Sequence, residues 1–113
     1  MSVTIYHNPK CGTSRNTLKL LEEKGLKPKV IEYLQTPLNG DEIKGLLKKL
    51  KIDAHGLLRK KEAAPLDLDT DAMTEAQLIA AMVKHPILIQ RPVVVNGAKA
   101  ILVRPPETVL SIL

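Results

Sequence analysis

The sequence has a single cysteine, no tryptophan, no phenylalanine and only two tyrosines, Tyr6 and Tyr33. One cysteine cannot close an internal disulfide, which excludes a stapled secreted scaffold and fits a reducing compartment. It also leaves the chain without a resolving thiol of its own. With so few aromatics there is no platform on which bases stack, and the lysines behind the net charge of +5 are scattered as on a solvated surface. Nucleic-acid binding is therefore not expected, although a positive field still concentrates small anions. No long apolar run and no basic leader with a cleavage site precede the first strand-like stretch, so no membrane association is expected and the reading is cytoplasmic. His55 and His85 lack metal-ligand spacing with each other or with Cys11, so no metal is expected. A phosphate-binding glycine motif is missing too, and no bound cofactor is expected.

A chain of 113 residues is long enough for one core, and a single domain over 1–113 is predicted. Alternation over Val3–Tyr6 predicts a strand. A polar turn with Pro9 and Gly12 follows, then a helix from about Thr13 to Lys24 that Gly25 closes. Lys29–Tyr33 predicts a second strand, parallel to the first across a right-handed crossover. Asn39 with Glu42 three residues on forms a capping box for a second helix, whose Ile43, Leu46, Leu47 and Leu50 make one apolar stripe. Ala54–Lys61 holds a helical turn, and Glu62–Asp71 reads as a loop. Thr74 and Gln77 cap another helix, with Leu78, Ile79, Met82 and Val83 on its buried side, ending before His85-Pro86. Pro92–Val95 and Lys99–Val103 flank Asn96-Gly97, a tight hairpin signal. Pro105-Pro106 opens a final helix that uses Val109, Leu110, Ile112 and Leu113. This order predicts an α/β protein on the thioredoxin-like plan, a small mixed β-sheet flanked by helices.

The chemistry centres on Cys11, in the loop His7-Asn8-Pro9-Lys10-Cys11-Gly12-Thr13-Ser14-Arg15-Asn16 between the first strand and the first helix. A helix N-terminus offers unpaired N–H groups and the positive end of a dipole, both of which favour a thiolate. Gly12, Thr13, Ser14 and Arg15 form that N-terminal turn. His7, four residues before the cysteine, either tunes the thiol or is an ordinary structural histidine. Against a background of lysines, Arg59, Arg91 and Arg104 stand at strand and loop ends. The guanidinium fork matches tetrahedral oxyanions, so these three are candidate anion-holding groups, though each is also read as a plain surface residue or a salt-bridge partner. Arg91-Pro92 is a candidate cis bond. Ser14 stands where a Cys-x-x-Cys motif has its second cysteine, which excludes self-contained dithiol exchange, and Thr17 stands where a Cys-x5-Arg phosphatase loop has its arginine. An external thiol must finish any redox cycle begun at Cys11.

Several spaced blocks carry a family resemblance: Ile5 through Leu18, Leu57-Leu58-Arg59-Lys60, His85 through Ile89 leading into Arg91-Pro92, and Arg104-Pro105 before Val109-Leu110. With these the chain resembles the glutaredoxin-dependent arsenate reductases of the ArsC type, which have a thioredoxin-like fold. The resemblance implies that Cys11 is the nucleophile, that Arg59, Arg91 and Arg104 hold arsenate, that His7 influences the thiolate and that Pro92 follows a cis bond. It further implies glutathione as co-substrate and glutaredoxin as partner. Glu62–Met73 departs from the family pattern. Two other readings share the superfamily. One is a glutathione-dependent thiol oxidoreductase for other substrates, which needs the cysteine more than the arginines. The other is a non-enzymatic regulator resembling Spx that binds RNA polymerase.

Overall fold

A computed structural model describes residues 3–103 and 106–113. The chain forms two compact units, one of Met1–Thr36 with Arg91–Leu113 and one of Pro37–Gln90. The first holds the strands β1 (Val3–Tyr6), β2 (Lys29–Ile31), β3 (Val93–Asn96) and β4 (Lys99–Leu102), with helix α1 (Gly12–Glu23) and a 3₁₀ segment at Pro106–Ile112. The second holds helices α2 (Gly40–Leu50), α3 (Ala54–Leu57), α4 (Lys60–Ala63) and α5 (Glu75–Lys84), with 3₁₀ turns at Ala64–Leu66, Thr70–Ala72 and Pro86–Leu88.

Among the described residues the sheet has the order β2-β1-β3-β4. β1 runs parallel to β2 and antiparallel to β3, and β3 is antiparallel to β4. This is the mixed α/β, thioredoxin-like class predicted from the sequence. Tyr6 closes β1 opposite Ile31 on one side and Val93 on the other, and the His7 N–H extends the parallel ladder to the Ile31 carbonyl at 2.8 Å. The chain therefore leaves the middle of the sheet at the point where the cysteine loop begins. Alternation in β1 sends Val3 and Ile5 into a core with Leu21, Val94, Val103 and Val109, against which Leu18, Leu20, Leu26, Ile101 and Ile112 pack. That core fixes α1 on the sheet. Truncating a side chain such as Leu21, fully buried here, removes about 2–5 kcal/mol from comparable cores.

In the second unit both predicted capping boxes are closed. Asn39 accepts from the Glu42 N–H at 2.8 Å while Glu42 accepts from the Asn39 N–H at 3.1 Å, and Thr74 and Gln77 do the same at 3.2 and 2.9 Å. Each such cap contributes about 1 kcal/mol by satisfying donors that a helix start leaves open.

Four local expectations are corrected. Glu62–Asp71 is not a plain loop, because the end of α4 and two 3₁₀ turns run through it, and the Lys60 ammonium lies 3.0 Å from the Asp71 carboxylate. In α5 the buried side is Leu78, Ile79, Ala81 and Met82, while Val83 is 37% exposed. The hairpin turn falls one residue later than predicted: Asn96 pairs with Lys99 as the last rung, and Gly97-Ala98 is the loop. Gly97 takes the φ of +62° that the first central position of a tight turn of this kind demands. The last element is 3₁₀ rather than α. Residues three apart eclipse in a 3₁₀ helix, so Val109 and Ile112 share the packed face and Leu110 and Leu113 are left exposed.

Candidate active site

Helix α1 begins at Gly12, one residue before the predicted start, and this makes Cys11 its N-cap. The φ and ψ of Cys11, −95° and 122°, are the extended values that position requires. A serine or aspartate there would place an oxygen against the N–H groups of the second and third helical residues. Here the larger sulfur stands in that place. It makes no capping hydrogen bond of ordinary geometry, yet the N–H groups of Ser14 and Thr13 face it and favour its ionised form. No acidic residue in the first turn competes for those donors.

Burial is the largest single influence on the Cys11 thiol and disfavours the charge. The Ser14 N–H, a hydrogen bond from the Arg91 side chain, the Thr13 N–H and the charge of Arg91 together outweigh it, and hold the thiol below its ordinary value. Cys11 is partly exposed, so the thiolate is open to attack on an incoming group. A lowered folded-state pKa makes ionisation favour the fold above the unfolded-state value, a contribution lost as pH falls through the folded one. The rate of Cys11 alkylation by iodoacetamide is therefore expected to rise with pH around a midpoint below that of a free cysteine, about 8.5. A midpoint at or above that value in the folded protein would contradict this electrostatic picture.

The loop ahead of Cys11 is tied down by its own polar groups. Ser14 is fully buried, with its Oγ 2.6 Å from His7 Nδ1 and accepting the Asn8 N–H at 3.1 Å. Asn8 accepts the Lys10 N–H at 3.0 Å through its side chain, and its carbonyl accepts the Cys11 N–H at 3.0 Å. Arg15, exposed on the first turn, donates to the Pro9 carbonyl at 2.8 Å. His7 itself is buried. Burial lowers its proton affinity, Glu32 raises it, and Arg15 lowers it, with a net downward shift that favours the neutral ring. His7 thus reaches Ser14, while the groups that act on the thiol are Ser14, Thr13 and Arg91.

The predicted arginines have separate placements. Arg91 lies in the same unit as Cys11, two residues before β3, and its guanidinium serves the sulfur. The Arg91-Pro92 peptide bond is cis. Arg59 belongs to the second unit, at the N-cap of α4, where its N–H donates to the Leu88 carbonyl at 2.6 Å and its guanidinium lies 3.7 Å from Glu62. Arg104 lies outside the described residues. Among the described residues no group of three or more His, Cys, Asp or Glu is arranged to hold a metal ion, and no helix is long and apolar enough to cross a membrane. The buried His7–Ser14 contact has no signal in the local sequence. A serine at the third helical residue reads simply as a capping residue, and its burial depends on how α1 docks on the sheet.

Comparison with known proteins adds to this geometry. The family model described as the ArsC family matches residues 6–112. The chain is 48% identical over 114 residues to a protein named arsenate reductase from Escherichia coli, covering 99% of this chain and 81% of that protein. It is 47% identical to one of the same name from Haemophilus influenzae, with the full length of both covered. The solved structure of an arsenate reductase from Vibrio cholerae, 43% identical, superposes with a TM-score of 0.89 over all of this chain and 98% of that one.

Proposed function

The chain belongs to the ArsC family, and from that premise we propose that it is an arsenate reductase in which Cys11 is the nucleophile and external thiols complete the reduction. The observation that carries the proposal is the pairing of Cys11 with Arg91. One guanidinium donates to the sulfur and favours its thiolate, and a cation beside the nucleophile is what an oxyanion attached to it calls for. The names of relatives at 47–48% identity support arsenate as that oxyanion. Without a cation there, a negative thiolate and a negative substrate repel each other. Arg59 and Arg104, from the family resemblance, add further positive charge around the oxyanion in this scheme.

The reaction balances with glutathione and glutaredoxin as the thiols. The Cys11 thiolate attacks arsenic, an S–As bond forms, and one arsenate oxygen leaves as water after taking protons from solvent. Glutathione attacks the same arsenic and expels a second water. A glutaredoxin thiolate then attacks the glutathione sulfur, forming a disulfide, and arsenic keeps the electron pair of the broken As–S bond, passing from arsenic(V) to arsenic(III). Water displaces arsenic from Cys11, which releases arsenite and restores the thiol. In total two thiols lose one electron each, and one water is formed. His7 is a positioning residue in this scheme, acting through Ser14 on the loop that presents Cys11.

The test is arsenate-dependent NADPH oxidation with glutathione, glutaredoxin and glutathione reductase present. Steady oxidation is expected only in the complete mixture, and omission of arsenate, glutathione or glutaredoxin abolishes it. A folded protein that leaves NADPH consumption unchanged on addition of arsenate would overturn the proposal.

A further inference from the structure

Beside the cysteine loop the first unit contains a cavity of about 150 Å³, lined chiefly by Asn8, Pro9, Lys10, Glu32, Leu34 and Gln35. The sheet order places it. Tyr6 lies between Ile31 of β2 and Val93 of β3, so Glu32, following β2, and Arg91, preceding β3, emerge on opposite flanks of the chain that leads to Cys11. Strands two positions apart are separated by roughly 10 Å. The Cys11 sulfur is served by Arg91 from the β3 flank, and the cavity opens on the β2 flank, with Lys10 the residue next to the nucleophile. An oxyanion held on the arginine side thus leaves the other side for an attacking thiol. Because this chain has no second cysteine, that thiol must come from another molecule.

We propose that this cavity binds the γ-glutamyl head group of the attacking thiol peptide, an inference that rests on the arsenate-reductase reading above. A cavity of about this volume takes a group the size of benzene, so it accommodates one end of a tripeptide and not the whole. The lining decides which end. Lys10 and Glu32 are both exposed and supply one charge of each sign, and neither the Lys10 ammonium nor the Gln35 amide is engaged by another described residue. The γ-glutamyl end is the one part of glutathione that carries an ammonium and a carboxylate together, whereas the glycyl end offers a carboxylate alone. Lys10 meets the carboxylate, Glu32 the ammonium, and Gln35 donates to or accepts from either. Leu34, 36% exposed, and Pro9 give the apolar wall along which the methylene stem lies.

The test compares thiols that keep only one end. With arsenate saturating, γ-glutamylcysteine is expected to replace glutathione at a similar KM, and cysteinylglycine to need about tenfold more. Lys10→Gln and Glu32→Gln each raise the KM for glutathione about tenfold, as loss of one charge-assisted hydrogen bond does, with kcat and the KM for arsenate unchanged. A second readout needs no turnover. In the Cys11→Ser variant, S-methylglutathione is expected to shift the amide resonances of Lys10, Glu32 and Gln35, and Lys10→Gln to weaken that binding. Binding of this kind without arsenate turnover would overturn the arsenate reading and support the cavity. Arsenate turnover in which cysteinylglycine serves as well as glutathione, or amide shifts that spare all three residues, would overturn the cavity alone.

Discussion

Replacing Cys11 by serine is expected to lower arsenate turnover by about 10³-fold or more, because the step that forms the S–As bond loses its nucleophile and no second thiol in the chain takes over. The fold supplies its own control. Cys11 is the N-cap of α1, and serine is among the preferred residues at that position, since its oxygen reaches the N–H groups that the sulfur now faces. At a pH below the Cys11 midpoint, where no thiolate is lost, Cys11→Ser should therefore unfold at the same temperature as the wild type or slightly higher. Lost activity with retained stability separates chemistry from structure. A serine variant that keeps more than about a tenth of wild-type turnover would mean that the reaction does not pass through this residue.

Arg91→Ala carries the second large effect, and it has two readouts that must move together. Removing one donor from an oxyanion hole costs about 10²–10³ in kcat, and a loss of that size is expected here for arsenate. The same substitution takes away a hydrogen bond and a positive charge that hold the thiol pKa down, so the pH midpoint of Cys11 alkylation should rise. Arg91→Lys restores the charge without the planar fork. It should bring back much of the alkylation profile and only part of the arsenate kinetics. Steady-state kinetics beside alkylation profiles for the three proteins check this. Slow arsenate turnover with an unmoved alkylation midpoint would place Arg91 away from the sulfur. The contrast also bears on the reading as a general thiol oxidoreductase, for which loss of Arg91 leaves mixed-disulfide turnover nearly intact.

How much of this was legible in the sequence depends on the range of the interaction. Capping boxes are local, so Asn39 with Glu42 and Thr74 with Gln77 are legible in four-residue windows, and both are closed in the structure. Gly25 is similar, ending α1 with a φ of +77° that glycine adopts at no steric cost. The loop that carries Cys11 is legible for the same reason, although α1 starts one residue before the predicted Thr13, and that residue makes the cysteine a cap rather than a neighbour of one. The hairpin shows where local signals stop. Asn96-Gly97 is a strong turn sequence, but the cross-strand pairing of β3 with β4 puts Asn96 on the last rung and moves the turn on by one. Val83 fits the apolar stripe of α5 yet is exposed, while Ala81, a small residue that stripe counting passes over, is buried. The side chains of the site divide the same way. Cys11 and its N-terminal turn follow from sequence order, whereas the burial of His7 and Ser14 and the approach of Arg91 arise only when β1, β3 and α1 are assembled. A local window contains no trace of that assembly.

The most direct measurement of the central claim is the amount of arsenite formed per NADPH consumed by the wild-type protein in the complete glutathione and glutaredoxin mixture. One arsenite is expected for each NADPH, since both record the same two-electron transfer, with no arsenite formed when Cys11 has been alkylated beforehand. Arsenate left unreduced by a folded protein whose Cys11 still reacts as a thiolate would contradict that claim.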